Sequence, residues 1–117
     1  MEGVRMRRNR EEIIKIRFTI LNHLKNISRG RLFNRHKDID IAFVNAGTNM
    51  LILEYENSNQ EEKDFIRKNL YDIHDELCTY LIQVDPHNEI FLGLFDKLKS
   101  ILYTVAFQNF KPEKVFP

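Results

Sequence analysis

Four carboxylates, Asp38, Asp40, Glu54 and Glu56, are the residues whose types and spacing point most directly to chemistry. They alternate with apolar residues, as Asp38-Ile39-Asp40-Ile41 and Leu53-Glu54-Tyr55-Glu56. On extended backbone successive side chains point to opposite faces, so the two acids of each pair share a face. If the segments pair as a hairpin centred on Gly47, Asp40 lies opposite Glu54 and Asp38 opposite Glu56, and like charges so placed repel. A hard cation such as Mg²⁺ or Mn²⁺ held by carboxylate oxygens would relieve that repulsion and could serve phosphoryl transfer. Basic residues laid over the acids, or side chains splayed into water, would relieve it equally and ask less of the chain. On that balance no metal or other cofactor is expected.

The remaining reactive residues form weaker sets. His74 and Cys78 stand one helical turn apart, a spacing that suits two ligands of a soft metal, but zinc takes three or four. The nearest further donors, Asp85 and His87, lie past the end of the same helix, while His23 and His36 are elsewhere in the chain. A cysteine packed beside Leu77 is the simpler expectation. Asp75 and Glu76 disfavour a thiolate at Cys78, and the four glycines form no phosphate-cradling loop. Arg67 and His74 are seven residues apart and share a helix face; Arg31 and His36 are similarly spaced in a connector. No catalytic residue is assigned from these sets.

Two of these patterns resemble known families. Ser28 followed by Asp38-Ile39-Asp40-Ile41 resembles the minimal nucleotidyltransferase pattern over about 15 residues, with Ile27 standing where that family has glycine. The resemblance implies metal-dependent nucleotidyl transfer, with Glu54 as a third acid. The Arg67 and His74 spacing resembles the arginine–histidine motif of HEPN ribonucleases, which implies RNA cleavage in an all-helical bundle, often across a dimer.

Charge offers a broader signal. The net charge of +1 is the sum of two opposed blocks. Residues 1–37 hold eleven Lys/Arg and three acids, a net +8, and residues 38–117 hold seven Lys/Arg and 14 acids, a net −7. Within the basic block, Arg5, Arg7, Arg8 and Arg10 form an arm, and Arg29, Arg31, Arg35 and Lys37 cluster in a connector with Phe33 and His36 interleaved. Arginine forks suit bidentate phosphate contact, and aromatics among them allow base stacking. The alternatives are a solubilising arm, or docking onto the protein's own acidic half or an acidic partner.

The elements that must position these residues follow from hydrophobic periodicity. Ile13, Ile14, Phe18, Leu21, Leu24 and Ile27 recur at helical steps, predicting a helix over residues 9–26 with Asn9 as N-cap and Glu11 and Glu12 in its first turn. Residues 28–37 read as a loop. Residues 38–44 and 50–56 read as the two strands of a hairpin, with Ile39, Ile41, Phe43, Leu51, Leu53 and Tyr55 on one apolar side; a helix over 39–56 is the alternative. Ser58 and Glu61 have capping-box spacing ahead of Phe65, Ile66, Leu70, Ile73, Leu77, Leu81 and Val84. Residues 85–88 form a turn, and Ile90 to Val105 give a last helix antiparallel to the preceding one.

The expected fold is therefore α+β, in the order α-β-β-α-α, with an all-α bundle as the alternative. Residues 1–8 form a basic arm, 9–110 one globular domain and 111–117 a tail. Exposed strand edges would invite a homodimer with a continuous sheet. No run of about 18 apolar residues and no signal segment is present, and one cysteine cannot form an internal disulfide, so an intracellular protein with no membrane contact is expected. The leading functional expectation is a small non-enzymatic regulatory or assembly protein. It would contact nucleic acid or a nucleoprotein through Arg5, Arg7, Arg8, Arg10, Arg29, Arg31, Phe33, Arg35 and Lys37. A self-associating protein-interaction module is the second reading, and the two enzyme families the third.

Overall fold

The computed structural model describes residues 9–29 and 37–109, and among them there are four helices and no strand. They are α1 (Arg10–Arg29), α2 (Lys37–Glu56), α3 (Gln60–Gln83) and α4 (Glu89–Asn109). The α+β expectation is thereby corrected to the all-α bundle. Residues 38–56, read as a hairpin, form one continuous helix.

Helix wins over hairpin in that segment for two reasons. Ile41, Val44, Thr48, Leu51 and Ile52 are all buried, and they recur at the three- and four-residue steps of a helix rather than every second residue. Asp38 and Asp40, which alternate as if on a strand, occupy the first turn of α2, where the helix dipole favours acids. Gly47 does not turn the chain. It sits in mid-helix where a β-carbon would lie 3.0 Å from Cδ1 of Ile20, so it lets α1 and α2 approach closely.

Asparagine side chains start the other three helices. Glu12 N–H donates to Asn9 Oδ1 at 2.8 Å, Glu62 N–H to Asn59 Oδ1 at 2.9 Å, and Phe91 N–H to Asn88 Oδ1 at 3.0 Å, each satisfying a donor the helix end leaves open. The cap of α3 is thus one residue later than the Ser58 expected, because Ser58 instead donates to the Glu54 carbonyl at 2.6 Å.

The helices run alternately up and down. Arg10 meets Glu62 and Arg17 meets Asp72, so α1 and α3 are parallel. Tyr80 meets Phe91 and His74 meets Phe95, so α3 and α4 are antiparallel, as expected from their short connection. Helices α2 and α3 share the centre, with α1 packed on one side of them and α4 on the other. One core runs through all four, from Ile13, Ile20 and Leu24 through Val44, Leu51, Ile66, Leu70 and Leu77 to Phe91, Leu94 and Leu98. Each such side chain contributes about 1.5–3 kcal/mol when fully buried.

Candidate functional site

The helical form of residues 37–56 takes the four carboxylates apart. Asp38 and Asp40 are in the first turn of α2 and Glu54 and Glu56 in its last, about 27 Å separating Asp38 from Glu56 at 1.5 Å per residue. No group of three or more His, Cys, Asp or Glu able to hold a metal ion occurs among the described residues, so the acidic cluster is corrected. Asp38 and Glu56 are exposed. Asp40 is buried with its Oδ1 2.6 Å from His23 Nδ1, and the His23 ring stacks on Phe43 at 4.3 Å.

Arg67 and His74 share the face of α3 toward α4 but are not presented together. The guanidinium of Arg67 donates to Asp64 at 2.7 Å and holds that carboxyl below the usual range. His74 is only 7% exposed, stacked on Phe95 at 4.7 Å and edged by Tyr71 and Tyr103. Its Nδ1 lies 3.3 Å from Asp75, and its Nε2 is buried with no hydrogen-bond partner among the described residues. His74 is thus enclosed by aromatic rings rather than presented to solvent beside Arg67. Cys78 is half-buried beside this cluster and free.

Of the basic residues, Arg5, Arg7, Arg8, Arg31, Phe33 and Arg35 lie outside the described residues. Arg29 and Lys37 close α1 and open α2 at one pole of the bundle. Arg10 is at the other pole, 3.5 Å from Glu62 and with its guanidinium over the Phe65 ring at 4.6 Å. Arg17 reaches Asp72 at 2.6 Å. Two bases of the +8 block therefore already face acids of the −7 block, and the arm and the connector emerge at opposite ends of α1.

A feature the hairpin reading obscured is the outer side of α2. At 100° per residue, Ile39, Ala42, Phe43, Ala46, Met50 and Leu53 fall within about 100° of the helix circumference, and no polar residue of α2 falls among them. Ile39 is 63% exposed, Leu53 59% and Phe43 43%. Ala42 and Ala46 are exposed and Met50 is half-buried. The stripe is about 21 Å long, from Ile39 to Leu53. Beside its C-terminal half a groove of about 470 Å³ opens between α2 and α4, lined by Asn49, Ile52, Leu53, Glu56, Lys97 and Ile101 among others. Lys97 Nζ donates to Asn49 Oδ1 there at 2.9 Å.

A helix that buries one face normally presents polar residues on the other; a second apolar face is the mark of a second packing partner. The signal was present in the sequence, since residues 39, 42, 43, 46, 50 and 53 are spaced by helical steps, but a period of two divides Ile39, Phe43 and Leu53 from Ala42 and Met50 on opposite strand faces and leaves Ala46 in the turn. No family model, curated protein or solved structure matches the chain. No helix among the described residues is long and apolar enough to cross a membrane.

Proposed function

We propose that the protein is a helical protein-interaction module that docks a partner on the outer face of α2. The observation that carries this reading is the exposed apolar stripe from Ile39 to Leu53. Leaving such side chains in water forgoes about 25 cal/mol per Å² that a partner would recover. The arrangement of Arg67 and His74, and the distance between the acid pairs of α2, give enzymatic readings less support than this surface has.

The test is to express the full chain, tagged, alongside an untagged copy in its host cells, and compare the native sequence with the Ile39→Glu/Leu53→Glu variant by quantitative co-purification. The native chain is expected to retain specific proteins, its own untagged copy included, and the variant to lose at least nine-tenths of them while keeping its helical circular dichroism. Equal retention by both would overturn the reading.

The segregated charge supports a second reading, contact with nucleic acid or a nucleoprotein through Arg5, Arg7, Arg8, Arg29, Arg31, Phe33, Arg35 and Lys37. It is the weaker of the two, because Arg10 and Arg17 are turned onto α3 and Arg29 and Lys37 lie at the pole opposite Arg10. Those two exposed pairs are worth about 0–1 kcal/mol each, so a polyanion could displace them.

A further inference from the structure

We draw no further inference here: the strongest candidate, the groove between α2 and α4 beside the apolar stripe of α2, belongs to the docking face already described, and nothing in the structure shows what covers it.

Discussion

Single residues show where the bundle is tight and where it is slack. Gly47 and Gly93 both lie inside helices, where alanine is favoured over glycine by about 1 kcal/mol. A β-carbon at Gly93 meets nothing within 4 Å, so Gly93→Ala should raise stability by about 0.5–1 kcal/mol. At Gly47 it would press on Ile20, which is fully buried and has no room to give, so Gly47→Ala should lower stability by about 1 kcal/mol. Ile20→Val removes the nearest atom, and a double-mutant cycle by urea denaturation should return a favourable coupling. Tyr80 offers a pH test. Burial raises its hydroxyl pKa, the Asp85 carboxylate adds to this, and Asn88 acts in the opposite sense. With the folded value above the unfolded value near 10, the unfolded state releases its proton first. The neutral hydroxyl's contribution is complete below pH 10 and is lost as pH rises through the folded value. Thermal melts between pH 9 and 11 should therefore fall less steeply for Tyr80→Phe than for the native chain.

Legibility differed from element to element. Helices α1, α3 and α4 were readable because each sends one long apolar series at helical steps into the core, so the period of 3.6 stands out even though Phe18, Ile82 and Ile90 are exposed on them. Their asparagine caps were partly readable too: Asn9 was recognised, whereas Asn59 was hidden behind Ser58. Helix α2 was not, because it is apolar on two faces. One, through Ile41, Val44, Leu51 and Ile52, enters the core, and the other, through Ile39, Phe43 and Leu53, faces outward. Overlaid, the two faces mimic the alternation of a strand, and Gly47 mimics a turn. The four-carboxylate site was legible only on that mistaken backbone. Because the outer face contributes nothing to the core, Ile39→Glu/Leu53→Glu should leave the midpoint of dilute thermal unfolding within about 5 °C of native, each site lying within about 0.5 kcal/mol. A drop of 10 °C or more would mean the stripe is structural.

At the scale of the whole molecule, the opposed charge blocks are partly reconciled internally. Parallel α1 and α3 bring Arg10 to Glu62 and Arg17 to Asp72, which the sequence could not show without the helix order. Of the other described bases of that block, Arg29 and Lys37 lie at the pole opposite Arg10. If the second reading holds, binding to a short duplex or single strand should weaken at least tenfold between 50 and 200 mM salt, because phosphate contacts release counterions. Fluorescence anisotropy would read this, and affinity indifferent to salt would exclude phosphate contact. The central claim is instead that the outer face of α2 exists to meet protein. Its most direct test is the paired co-purification of the native chain and the folded Ile39→Glu/Leu53→Glu variant: loss of at least nine-tenths of the retained protein from the variant is the predicted result, and an unchanged set of retained proteins would contradict it.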